Sequence, residues 1–107
     1  MTHISTHVLD AVTGRPAVGV AVTLIGADGA VLAQSATDSD GRIADLYSGP
    51  VPEVCRLCFD TAAYFAAHGV DALYPEVVVA VSITGTSDRY HVPLLLAPFA
   101  YSTYRGS

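Results

Sequence analysis

Residues 76–83, EVVVAVSI, place Val77, Val79, Val81 and Ile83 at every second position. Branching at Cβ stiffens a side chain and suits it to a pleated surface, and period-two alternation turns all four to one face. A chain containing such a segment commits to a sheet, and the rest of the sequence agrees. Val18, Val20, Val22 and Leu24 alternate through 18–25. Further strand-like runs fall near 4–10, 30–37, 42–46, 53–59, 89–96 and 100–104. Turn chemistry separates them: Thr13-Gly14-Arg15-Pro16, Asp28-Gly29, Asp38-Ser39-Asp40-Gly41, Ser48-Gly49-Pro50-Val51-Pro52, Tyr74-Pro75 and Gly85-Thr86-Ser87-Asp88.

One helix is predicted, over 61–68, with Asp60 or Thr61 as N-cap and Gly69 at C′. At about two turns it needs packing to persist, and Tyr64, Phe65 and His68 share the side that packs. Roughly seven or eight short strands with close turns and one small helix predict an all-β antiparallel sandwich. Pro93 inside 89–96 has no amide proton, so that strand should be irregular or unpaired on one side.

The length of 107 residues fits a single domain spanning 1–107. With 51% hydrophobic and only 14% charged residues, some apolar surface is expected to enter subunit contacts. Net charge is −5, and the five basic residues (Arg15, Arg42, Arg56, Arg89 and Arg105) are scattered, which argues against a nucleic-acid or membrane-surface role. There is no charged-then-apolar leader and no apolar run near the ~20 residues of a membrane span, so a cytoplasmic location is expected. Cys55 and Cys58, three apart on a strand, should point to opposite faces as reduced thiols. Asp38-Ser39-Asp40-Gly41 resembles part of a calcium loop, but the further acidic ligands are missing and an ordinary turn is favoured.

The stretch 90–107, YHVPLLLAPFAYSTYRGS, contains no Asp or Glu in an otherwise acidic chain. Within 89–96, Tyr90, Val92, Leu94 and Leu96 form the better core face, so His91 points outward with Pro93 and Leu95. His7 shares a face with Ser5 and Leu9, but both faces of that strand are mixed. Two outward histidines on neighbouring strands can act as a general acid–base pair near pH 7; a surface histidine is more often inert. Arg42, after Gly41, reads either as a solvated turn residue or as a fixed donor to a developing oxyanion. Arg105 carries the same two readings. Serine nucleophile, phosphate-loop and dinucleotide motifs are absent, and two histidines without a third ligand are weak evidence for zinc.

His7-Val8-Leu9-Asp10, Thr13-Gly14-Arg15-Pro16-Ala17, Tyr90-His91-Val92-Pro93-Leu94-Leu95-Leu96 and the ending Tyr101-Ser102-Thr103-Tyr104-Arg105-Gly106-Ser107 closely resemble the transthyretin-related 5-hydroxyisourate hydrolases. Asp40-Gly41-Arg42, Phe59-Asp60-Thr61, Tyr64-Phe65 and Tyr74-Pro75 extend the resemblance over essentially the whole chain. The Tyr104-Arg105-Gly106-Ser107 ending separates these enzymes from the hormone carriers of the same fold. The resemblance implies a transthyretin-like sandwich of two four-stranded sheets, with the first strand and the last two in one sheet. It also implies a homotetramer, a dimer of dimers, with His7 and His91 facing a channel between dimers and Leu9 and Leu95 at the subunit contact.

The implied reaction opens the ring of 5-hydroxyisourate to 2-oxo-4-hydroxy-4-carboxy-5-ureidoimidazoline in urate degradation, with no metal or cofactor. By the same resemblance His7, Arg42 and His91 are catalytic, and Tyr104, Arg105, Gly106 and Ser107 bind substrate. A carrier of a small ligand is the alternative. Arg89, Ala97 and Phe99 depart from residues common in the family (a His, a Ser and a Tyr) without touching the catalytic set.

Overall fold

A computed structural model describes residues 2–51, 53–84 and 88–107. The elements in chain order are β1 (Thr2–Asp10), β2 (Arg15–Pro16), β3 (Ala21–Gly26), β4 (Val31–Ala36), β5 (Arg42–Gly49), β6 (Val54–Phe59), α1 (Thr61–Ala67), β7 (Val77–Ser82), β8 (Arg89–Ala97) and β9 (Ala100–Thr103). They form two sheets. In the first, β1 lies between β8 and, on its other edge, β5 along Thr2–His7 and the two-residue β2 at Leu9–Asp10; β9 closes the far side of β8. The second has the order β4-β3-β6-β7.

Alternation decides which side chains meet between the sheets. Ile4, Val8, Val22, Leu24, Leu57, Phe59, Leu94 and Leu96 are all essentially inaccessible, and each lies two or four residues from the next buried position on its strand. Thr6 shares the inner face of β1 and satisfies its hydroxyl by donating to the Val92 carbonyl at 2.6 Å. On β7, Val77 is buried, Val79, Val81 and Ile83 are half-buried against the core, and Val78 and Ala80 are exposed, as the alternation predicts.

Several local expectations change. The strand predicted from Val18 begins at Ala21: Val18 is exposed in a turn where Gly19 has φ +79°, a backbone that bends the chain before the ladder starts. The strand beginning at Arg42 runs to Gly49, so Ser48 and Gly49, expected in a loop, are paired with His3 and Thr2. Asp60 caps α1 and accepts from the Ala63 amide at 3.3 Å, and Gly69 follows with φ +67°. Tyr64 and Phe65 are buried as expected. His68 is exposed instead: it ends the helix, stacks 4.4 Å from the Tyr64 ring and donates from Nδ1 to the Tyr64 carbonyl at 2.8 Å. Of the expected turn at 85–88, residues 85–87 lie outside the described residues.

The β1–β8 pairing is parallel, in unbroken register from His3–Arg89 to Asp10–Leu96; every other strand pairing among the described residues is antiparallel. β8 itself passes regularly through Pro93. The interruption falls on its β9 side, where Leu94–Ala97 pair with Thr103–Ala100 and contact resumes in the same register only at a His91–Gly106 bridge. Between them the Pro93 carbonyl accepts the Thr103 hydroxyl at 2.6 Å. The missing amide proton is thus placed where no ladder bond is required.

Candidate functional site

On β1, Ile4, Thr6 and Val8 turn into the core, which sends Ser5, His7 and Leu9 to the outer face. On β8 the same alternation sends His91 and Leu95 outward. The parallel register makes Ser5 the partner of His91 and His7 the partner of Pro93, so the two histidines are diagonal neighbours on one face. On the other edge of β1, His7 pairs with Arg42.

A tight loop delivers Arg42. Asp38 Oδ1 accepts the amides of Asp40 at 2.8 Å and Arg42 at 2.9 Å, and the Asp38 amide donates to the Arg42 carbonyl at 2.9 Å. Those amide bonds, led by the one from Arg42, hold the Asp38 carboxyl below its usual range. Gly41 adopts φ +74°, and its carbonyl accepts the Val8 amide at 2.7 Å. A Cβ there would collide with the Val8 carbonyl, so glycine is required both by the backbone and by the contact. The loop is therefore pinned to β1, with Arg42 beside His7. His7 in turn donates from Nε2 to the Asp40 carbonyl at 3.1 Å; because a carbonyl only accepts, a neutral His7 ring keeps its lone pair on Nδ1.

The chain end completes the arrangement. The Gly106 amide donates to the His91 carbonyl at 2.8 Å, and a Cβ on Gly106 would overlap the His91 ring and press on Pro93. The His91 Nδ1 lies 2.8 Å from Ser5 Oγ. Burial, then the charge of Arg42 and the neighbouring His7, lower the His91 pKa below its ordinary value, which favours the neutral ring.

These residues surround a cavity of about 290 Å³ lined by His3, Ser5, Thr6, Arg42, Ala44, Arg89, His91, Gly106 and Ser107, near the lower end of the range for small-molecule sites. It contains an imidazole of lowered pKa and two guanidiniums, with no carboxylate side chain among the described residues of its wall. A second depression of about 310 Å³ on the other sheet, among Ala21, Thr23, Gln34, Cys58, Phe59, Asp60, Pro75 and Glu76, offers no imidazole or guanidinium. Its Cys58 is half-buried and Cys55 fully buried, both free thiols that burial pushes upward in pKa. No group of three or more His, Cys, Asp or Glu able to hold a metal ion occurs among the described residues.

Of the residues singled out in the sequence, Arg42, His91, Gly106 and Ser107 line the cavity together. His7 is beside it, outside the wall. Tyr104 and Arg105 border a different groove with Val79, Val81, Ser82 and Tyr90. Arg105 sits 4.7 Å over the buried Tyr90 ring and donates to the Arg89 carbonyl at 3.1 Å, which ties the chain end to β8. His3, Ser5 and Arg89 were not among the predicted site residues. Ser5 shares a strand face with His7, but its partner became visible only with the parallel β1–β8 register.

The model of the HIUase/transthyretin family matches residues 4–106. The chain belongs to the HIUase/transthyretin family. A 5-hydroxyisourate hydrolase from Salmonella typhimurium is 42% identical over 109 residues, covering 97% of this chain and 80% of that protein. The solved 5-hydroxyisourate hydrolase of Klebsiella pneumoniae superposes with a TM-score of 0.91 at 40% identity, over 100% of both chains. Transthyretin from Sparus aurata gives 0.89 at 32% identity, covering 99% of this chain and 97% of its own. The two-sheet sandwich with one short helix is the fold of this family.

Proposed function

We propose that this member of the family hydrolyses 5-hydroxyisourate to 2-oxo-4-hydroxy-4-carboxy-5-ureidoimidazoline in urate degradation, and that the cavity between β1, β5, β8 and the chain end is where it does so. The observation that carries the reading is a single cavity walled by both His91 and Arg42, next to His7. In the proposed step His91, aided by His7, orients a water and takes its proton, and the oxygen adds to the ring carbonyl. Arg42 stabilises the oxyanion that forms. Collapse breaks the ring C–N bond, and the proton returned by the histidine goes to the departing nitrogen, leaving a carboxylic acid on one side of the break. General base catalysis contributes about 10²–10⁴-fold, and loss of an oxyanion donor costs about 10²–10³-fold. Gly106 and Ser107 hold the substrate's polar edge, while Arg105, over the Tyr90 ring and on the Arg89 carbonyl, fixes the segment that carries them.

A carrier with the same fold is the competing reading, given the likeness to the Sparus aurata transthyretin. Proton-transfer and charge-stabilising groups in the cavity favour chemistry over carriage. The half-buried, outward Leu9 and Leu95 support the further proposal of a homotetramer built as a dimer of dimers, to be checked by sedimentation. Two unpaired cysteines fit a reducing, cytoplasmic setting; no helix among the described residues is long and apolar enough to cross a membrane.

The test is to generate 5-hydroxyisourate in place with urate oxidase and follow its ultraviolet absorbance. Faster decay with micromolar protein supports the hydrolase; an unchanged decay rejects it.

A further inference from the structure

The imidazole of His91 is held on two sides by groups that carry no charge. Its Nδ1 is 2.8 Å from Ser5 Oγ, the residue directly opposite it in the β1–β8 register. Its Cγ–Cδ2 edge packs against Gly106. Among the described residues its Nε2 has no hydrogen-bond partner, which leaves that nitrogen to serve the cavity the ring lines.

We propose that Ser5 is the positioning residue of His91: its hydroxyl accepts the Nδ1–H and so holds the neutral ring with its lone pair on Nε2. The proposal rests on the hydrolase reading above. A hydroxyl offers both a proton and lone pairs and rotates to suit its partner. As acceptor it serves the whole proton cycle. Nδ1 stays protonated while Nε2 is a bare base, and it is still protonated after Nε2 has taken the water's proton, so the ring need not turn. A carboxylate at the same place would also accept from Nδ1, but it would stabilise the imidazolium and raise the pKa. A neutral partner orients without doing so, in keeping with a ring that burial, Arg42 and His7 already disfavour as a cation.

The experiment combines ¹⁵N NMR of labelled histidines in the substrate-free protein with kinetics of Ser5→Ala and Ser5→Thr. In the wild type, His91 should show a protonated Nδ1 and an unprotonated Nε2. Ser5→Ala should lower kcat roughly 10–100-fold, by analogy with the loss when a partner orienting a metal-bound histidine is removed, with KM unchanged and the His91 tautomers mixed. Ser5→Thr keeps the hydroxyl and should restore both the rate and the single tautomer. A wild-type His91 protonated on Nε2, or a Ser5→Ala enzyme with unaltered kcat, overturns the proposal. The tautomer is read without substrate, so failure of the hydrolase reading leaves this part of the test intact; should Ser5→Ala not fold, the wild-type spectrum and Ser5→Thr decide.

Discussion

Gly106 is the register partner of His91, with its amide on the His91 carbonyl at 2.8 Å and its α-carbon against the imidazole ring. No side chain fits between them. Gly106→Ala must displace either the ring or the chain end. Turnover is expected to fall at least tenfold, by analogy with the loss when a group orienting a metal-bound histidine is removed, while the melting temperature stays close to wild type. Steady-state kinetics beside a thermal melt check it; unaltered turnover would show that the contact does not position the ring.

Ser107 reaches the same cavity. Residues appended after it are expected to crowd the site, so a C-terminal tag should lower activity more than an N-terminal one. Equal rates from the two tagged proteins would place the chain end outside the working site.

Burial, Arg42 and His7 together lower the His91 pKa. On acidification the unfolded chain takes this proton before the folded one does. His91 therefore contributes stability above about pH 6.5, the ordinary histidine value, and that contribution fades as pH falls below it. The base form persists over the same range, so the acid limb of kcat/KM is expected below pH 6.5. Arg42→Gln removes a nearby positive charge and should move the His91 NMR titration upward. A downward or absent movement would contradict the electrostatic assignment.

Away from the cavity, the buried Asp10 joins β1 to the helix. Its Oδ2 accepts the Tyr64 hydroxyl at 2.8 Å, and its Oδ1 accepts the amides of Val12 at 2.9 Å and Thr13 at 3.1 Å. Burial alone would raise the Asp10 pKa; the bonds from Tyr64, Thr13 and Val12 and the nearby His68 outweigh it, so the carboxyl lies below its usual range. Burial and Asp10 push Tyr64 up to about 12. The lowered Asp10 value adds stability above the unfolded pKa of about 3.9, lost as pH falls through the folded value. Tyr64→Phe is expected to cost about 1–3 kcal/mol near neutral pH and to make the acid-side loss shallower. Urea titrations of both proteins at pH 7 and pH 3 check this; equal stability at pH 7 would remove Asp10–Tyr64 as a structural clamp.

The strands were legible wherever large or β-branched apolar residues recur at every second position, as in 76–83 and in the Tyr90–Leu96 face that turned His91 outward. Val18 misled because it keeps the period of Val20 and Val22 while Gly19, with positive φ, breaks the chain between them. The extension of β5 to Gly49 was hidden because Ser48 and Gly49 carry turn chemistry but take their bonds from β1. For the site, alternation reached His91, and resemblance supplied His7, Arg42 and the chain end. Ser5 escaped because its importance lies in a parallel partner some 86 residues away, and pairing order leaves no trace in local pattern. Tyr104 and Arg105 border a separate groove since Arg105 finds the Tyr90 face, a contact that sequence spacing does not reveal.

The central claim is that His91 and His7 serve one proton-transfer site. It is tested most directly by the rate of 5-hydroxyisourate decay with His91→Asn and His7→Asn, each first shown by sedimentation to keep the wild-type assembly. Both variants are predicted to lose about 10²–10⁴-fold in turnover. Wild-type rates from both would contradict the account.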